Sequence, residues 1–150
     1  YKKYFSIINV RLSNIYGPTD LVRPDIVQSL VRKLVLSKDK ISVWSKKPVR
    51  DFIFAEDAAE AVVKLLFSKY DGHVNLGSGK MTSIKELCDY LEVLTNKKIY
   101  DKKIKNLYGH KKFIYNIKLI KKIINWGPQN SLRDGLSKTL NETKNLLNIQ

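Results

Sequence analysis

The sequence predicts an α/β fold in which strands and helices alternate along the chain. Three observations lead there. Short β-rich runs recur at residues 5–12, 41–44, 50–55, 73–76 and 99–101. Segments whose apolar positions repeat at helical spacing follow or separate them. Turn signals divide the two kinds, at Tyr16-Gly17-Pro18, Lys38-Asp39-Lys40, Tyr70-Asp71-Gly72 and Trp126-Gly127-Pro128.

The first run, FSIINVRL at 5–12, alternates poorly yet is rich in β-formers, as expected of a strand buried on both faces. Tyr16-Gly17-Pro18-Thr19-Asp20 punctuates it. From Pro24 to about Ser37, apolar residues at 26, 27, 30, 31, 34 and 35 lie on one helical stripe, and Pro24 suits a first turn. Residues 41–44 read as a short strand, 45–48 as a polar loop and 50–55 as a second strand. Asp57-Ala-Ala-Glu60 then predicts a helix to about Ser68, with Asp57 as the N-cap of a capping box. Residues 73–76 form a strand feeding Gly77-Ser78-Gly79. Ser83-Ile-Lys-Glu86 is a cleaner capping box and opens a helix to about Thr95. A short strand at 99–101 and helices near 116–125 and 131–147 complete the pattern.

At 150 residues the chain is one domain or part of one, and 43% hydrophobic content is enough to bury a core. The longest apolar stretch, 114–124, is broken by Asn and Lys and cannot span a bilayer. Residues 1–6 lack the apolar region and cleavage site of a signal peptide. A cytoplasmic protein is expected. The single cysteine, Cys88, excludes an intrachain disulfide and a Cys-rich zinc site. It shares a helical stripe with Ile84, Leu87 and Leu91, which predicts a buried apolar role.

Net charge +14 is almost all lysine, with arginine only at 11, 23, 32, 50 and 133. The lysines cluster at 97–105, 111–112, 118–122 and 138–144, mostly on the polar sides of amphipathic segments. A dedicated DNA reader would carry an Arg-rich recognition helix or aromatic stacking platforms. The excess therefore reads first as solvated faces, next as attraction for an anionic ligand, and last as a nucleic-acid surface.

Three features bear on chemistry. Gly77-Ser78-Gly79 lies between a strand and a helix, where a phosphate cradle would be. A dinucleotide fingerprint needs a third glycine at Thr82 and a ribose-binding acid about twenty residues on, and neither is present. The stretch reads as a tight turn. Arg50 heads the strand 50–55. It either stays solvated or offers its planar fork to a pyrophosphate. Asn14 ends a strand, where its amide either caps the turn or reaches a ligand in the crevice that open α/β sheets use. Taken locally, the turn reading leads.

Together these stretches carry a resemblance. Arg11-Leu-Ser-Asn14-Ile-Tyr16-Gly17-Pro18 comes first, then Trp44 and Arg50-Asp51-Phe-Ile-Phe-Ala-Glu-Asp57-Ala-Ala. Asn75-Leu-Gly77-Ser-Gly79, Asn125-Trp126-Gly127-Pro128 and Leu132-Arg-Asp-Gly135-Leu follow. In order and spacing the chain resembles the C-terminal half of the extended short-chain dehydrogenase/reductases. These are the NAD(P)-dependent nucleotide-sugar epimerases and dehydratases. The resemblance covers nearly the whole chain. It implies that residues 1–20 hold the last strands of the cofactor sheet, and that 21–150 form mainly the sugar-nucleotide-binding part of a Rossmann-like fold.

The same resemblance implies the site. Asn14, Trp44 and Arg50 would contact the nucleotide-diphosphate sugar, with Arg50 on the diphosphate. The backbone of Ser13, Asn14 and Ile15 would lie near the nicotinamide of NAD or NADP. Asp57 is a helix cap there too, and Gly77 and Gly79 are turn formers.

There are departures. Ser45 replaces the glycine usual after Trp44, and Asn116 replaces the aspartate that ends the segment 109–116. Lys111 and Lys112 lie nearby, where approach to a phosphate is the less favoured reading, and His110 is an exposed loop residue rather than a base. The spacing of 109–116 and the ending at 132–136 lean toward the GDP-sugar branch.

The family's glycine fingerprint and catalytic Tyr-x-x-x-Lys pair would precede the strand at 5–12, and Tyr1-Lys-Lys-Tyr4-Phe5 does not supply the pair. The expectation is a truncated gene product or one piece of a split enzyme. It would bind the sugar-nucleotide but neither NAD(P) nor the redox step by itself, and would need an N-terminal partner or self-association. No metal and no membrane are expected. The alternative is a non-catalytic basic module that binds a polyanion or nucleic acid.

Overall fold

The computed structural model describes residues 5–18, 25–104 and 112–149. The readings placed on Tyr1 to Tyr4, Thr19, Asp20, Pro24, Gly109, His110 and Lys111 lie outside these residues.

Eight strands and five helices follow one another in the described chain. They are β1 (Ile8–Leu12), β2 (Asn14–Tyr16), α1 (Ile26–Leu36), β3 (Lys40–Val43), β4 (Val49–Arg50), β5 (Phe52–Phe54) and α2 (Ala55–Leu66). After these come β6 (Gly72–Leu76), β7 (Thr82–Ser83), α3 (Ile84–Thr95), β8 (Lys98–Asp101), α4 (Lys118–Ile124) and α5 (Leu132–Leu146). Three ladders are parallel: β1 with β6, β2 with β5 and β3 with β8. A short antiparallel pair joins β4 to β7, setting Arg50 opposite Thr82. Each parallel pair needs a crossover, which the intervening helices supply.

Side-chain alternation along β5 divides the interior. Phe52 and Phe54 face one cluster, with Tyr16, Val27, Leu30, Leu34, Leu87, Leu91, Leu136 and Leu140. Ile53 faces the other, with Ala61, Leu65, Val74, Leu76, Ile120 and Trp126. Ile15 and Tyr16 on the paired strand β2 split the same way. The period of two thus lets one strand pair wall off two cores.

Local chemistry fixes the helix ends. Asp25 accepts from the Gln28 amide at 2.8 Å, so α1 is capped one residue after the proline read as its first turn. Ser83 accepts from the Glu86 amide at 3.0 Å, as the capping box predicts. Helix α3 stops at Asn96, in left-handed conformation with φ 52°, and α4 stops likewise at Asn125 with φ 45°. Cys88 is fully buried, and burial, only partly opposed by Lys46, pushes its thiol up to about 11. It is a packing residue.

Several readings need correction. No residue of β1 is fully buried, and β6 is its hydrogen-bonded neighbour among the described residues, so it is not a strand enclosed on both faces. The run 50–55 is not one strand: it breaks at Asp51, where the chain changes partner from β7 to β2. Nor is Asp57 an N-cap. Helix α2 starts straight from β5 with Phe54 at the cap position, placing Asp57 in the first turn, where its charge still suits the helix dipole. Its carboxylate is committed elsewhere. It accepts from the Gln129 amide at 3.0 Å, the Asn130 amide at 3.1 Å and the Asn130 side-chain amide at 3.0 Å. Asp57 therefore ties α2 to the entry of α5.

Candidate functional site

Asn14 begins β2, Trp44 follows β3 and Arg50 ends β4, and all three line one cavity of about 570 Å³. Helix α1 contributes a stripe of Ile26, Ser29, Leu30 and Lys33, which helical spacing places on one side. Pro48, Ile84 and Lys102 are also in the wall.

Main-chain bonds hold the wall in place. The Asn14 amide donates to the Asp51 carbonyl at 3.1 Å, pinning Asn14 beside Arg50. Ile84 and Lys85, in the first turn of α3, donate to the carbonyls of Pro48 and Lys46, both at 2.9 Å. Unpaired amides at a helix start seek such partners, and here they lock the loop between Trp44 and Arg50. The Lys46 amide donates to the Asp101 carboxylate at 3.2 Å, and its ammonium meets Glu92 at 3.3 Å. Partial burial pushes the Glu92 carboxyl up, but the Ile99 amide, Lys46 and Lys98 outweigh it and hold it below the usual carboxylate range.

Among the described residues the lining carries Lys33, Arg50 and Lys102 and no carboxylate. Trp44, with 67% of its surface exposed, presents a ring that a planar group can stack on. The Arg50 guanidinium donates to the Val49 carbonyl at 2.9 Å and leaves most of its fork for a ligand. Such a cavity suits an anion with an aromatic appendage. Among the described residues no group of three or more His, Cys, Asp or Glu could hold a metal ion.

The structure separates the other predicted residues from this cavity. Ser13 sits at the β1–β2 junction with its hydroxyl buried near Gly77, and Ile15 packs against the second core. Gly77-Ser78-Gly79 is a turn wrapped around a carboxylate. The Ser78 and Gly79 amides donate to Asp51 at 2.8 and 3.1 Å, so the groups that would cradle a phosphate already face a negative charge. The turn does not fit a cofactor pyrophosphate. Lys112 is exposed and bridges to Val49, one residue from Arg50. The Asn116 side chain accepts from the Lys118 amide at 3.0 Å, so it supports the start of α4 as an amide there should.

Sequence reasoning missed Lys33 and Lys102. Lys33 was within reach of it, since it falls seven residues after Ile26 on the stripe that also holds Ser29 and Leu30. Nothing in the sequence distinguished Lys102 from its neighbours.

The model of the NAD dependent epimerase/dehydratase family matches residues 1–77, more than half of the chain. The chain belongs to that family. Among its relatives is GDP-L-fucose synthase 1 of Arabidopsis thaliana, 32% identical over 142 residues, covering 85% of this chain and 42% of that protein. The structure of RMD from Pseudomonas aeruginosa complexed with NADPH superposes with TM-score 0.85 at 18% identity, over 95% of this chain and 50% of that one. UDP-glucuronic acid 4-epimerase from Bacillus cereus, in complex with UDP-glucuronic acid and NAD, gives TM-score 0.82 at 25% identity, over 95% and 46%. The chain thus has part of the Rossmann-like fold of the extended short-chain dehydrogenase/reductases, and spans half or less of these proteins.

Proposed function

We propose that the chain is the sugar-nucleotide-binding half of an NAD(P)-dependent nucleotide-sugar epimerase, dehydratase or reductase, with a GDP-sugar as the favoured ligand class. One observation carries the reading. Asn14, Trp44 and Arg50 come from three separate places in the chain and meet in one cavity whose charged lining, among the described residues, is cationic. Arg50 serves the diphosphate, Trp44 the nucleotide and Asn14 the sugar side. GDP-L-fucose synthases among the relatives support the choice of base. The nicotinamide cofactor would supply the hydride chemistry in a complete enzyme. The glycine turn Gly77-Ser78-Gly79 is closed by Asp51, which supports a chain that holds substrate and leaves the cofactor pyrophosphate to other residues.

Calorimetry at fixed salt tests this. GDP and UDP should bind, the matching monophosphates more weakly, and the bare nucleosides hardly at all. Binding of nucleic acid with steep salt dependence, uncontested by any nucleoside diphosphate, would replace the reading with the basic-module one.

The same reading assigns a covering partner, either a further α/β segment or a second copy. Phe5, Ile7 and Leu12 are exposed on and beside β1, and Val62, Val63, Leu66 and Phe67 along α2. A strand with one neighbour among the described residues, and this much apolar surface, favours association. Sedimentation should show concentration-dependent assembly. A monomer that melts cooperatively at one temperature whatever its concentration would count against it.

A further inference from the structure

We propose that the Asp51 carboxylate is a positioning residue of the cavity, holding Arg50 and Asn14 in their binding geometry from beneath. The inference rests on the cavity being a nucleoside-diphosphate site, and it starts from an oddity of sequence. The stretch from Val49 to Phe54 is apolar and β-forming apart from Arg50 and Asp51. Arg50 reaches the cavity, whereas Asp51 has no exposed surface at all.

A buried carboxylate requires compensation, and here it comes from uncharged donors. One oxygen, Oδ1, accepts from the Ser78 amide at 2.8 Å and the Ser78 hydroxyl at 2.7 Å. The other, Oδ2, accepts from the Gly79 amide at 3.1 Å and the Tyr115 amide at 3.2 Å. Gly77 leaves room for the group, since a β-carbon there would stand 2.7 Å from Oδ2. Asp51 thus gathers the turn after β6 and the segment before α4 onto the point where β4 ends and β5 begins.

That point controls the cavity. The chain exchanges β7 for β2 as its partner across Asp51, so nothing in a continuous ladder fixes the direction of Arg50. The Asp51 carbonyl accepts the Asn14 amide, and on the other side the Val49 carbonyl accepts the Phe113 amide at 3.1 Å. Arg50 lies between these two ties. Removing the carboxylate frees both segments that press the break into shape. An asparagine does not substitute for it. Whichever way the amide lies, its NH2 faces at least one main-chain N–H, that of Ser78 on one side or those of Gly79 and Tyr115 on the other, which had bonded an oxygen.

The test is a double-mutant cycle read by calorimetry with GDP, using the wild type, Asp51→Asn, Arg50→Ala and the pair. Asp51→Asn should weaken GDP by about tenfold, and should weaken it hardly further once Arg50 is alanine, because Asp51 acts through Arg50. A role in folding alone would leave the affinity of the folded fraction unchanged, or make the two losses multiply. Either result overturns the proposal. If Asp51→Asn does not fold, Ser78→Ala deletes one donor and keeps the ion. It should cost about threefold in the wild type and nothing beside Arg50→Ala, and a multiplying loss again overturns it. If the wild type itself binds no GDP, the nucleotide reading fails, yet positioning is still judged. The backbone amide signals of Asn14 and Arg50 should shift in Ser78→Ala, and unmoved signals would refute the role.

Discussion

Arg50→Ala should weaken binding of a nucleoside diphosphate or its sugar by about 1.5–3 kcal/mol, roughly ten- to 150-fold. The magnitude follows from what is lost. A guanidinium makes two parallel charge-assisted bonds to a phosphate, in a cavity where Lys33 and Lys102 supply charge but no fork. Arg50→Lys should therefore recover only part of the loss. Stability should barely move, since the Arg50 side chain is half-buried and its own bond is to the neighbouring Val49 carbonyl. Calorimetric titration of both variants at one ionic strength decides the matter. Unchanged affinity in Arg50→Ala would remove Arg50 from the site and leave Asn14 and Trp44 without their anchor.

Gly135→Ala should destabilise the fold by about 1–3 kcal/mol, although alanine is the better helix former by about 1 kcal/mol. Gly135 lies in the first turns of α5, where that helix crosses the Tyr16 and Phe54 rings. A β-carbon would overlap the Tyr16 hydroxyl and approach the Phe54 ring to 2.9 Å. Neither ring has a route out. Tyr16 is 3% and Phe54 2% exposed, their centroids are 5.5 Å apart, and the Tyr16 hydroxyl donates to the Leu132 carbonyl at 3.4 Å. Burial first, then Asp57 and Asp134, raises the pKa of that phenol far above its ordinary value, so it stays protonated and donating. Urea unfolding of the variant gives the sign directly. A gain in stability would mean that α5 can lift from the aromatic pair at little cost.

Much of this was legible beforehand, for identifiable reasons. Helix α3 is legible from its cap at Ser83 to about Thr95 because both signals are local: Ser83 caps one end, and four apolar residues mark one face. The family resemblance, not the local pattern, grouped Asn14, Trp44 and Arg50, and all three line one cavity. Two failures have one cause. Asp57 looked like a cap and Asp51 like part of a strand, because local patterns cannot show that a carboxylate will serve amides more than sixty residues away, as at Tyr115 and Asn130. Likewise, the apolar run at 5–12 gives no sign of whether a neighbour covers each face of β1. Tertiary partners decide such positions, and single-sequence periodicity does not encode them.

The alternation along β2 and β5 has a consequence for how uniquely the chain is specified. Their ladder is three residues long, too short for hydrogen bonding alone to fix the pairing. A shift by one residue would turn Phe52 and Phe54 into the space shaped for Ile53, and send Ile53 toward the aromatic side. Such a one-residue slip exchanges large rings for a small branched chain in both cores at once. The shortest parallel ladder in the described residues is thus guarded against a one-residue slip by two interiors together.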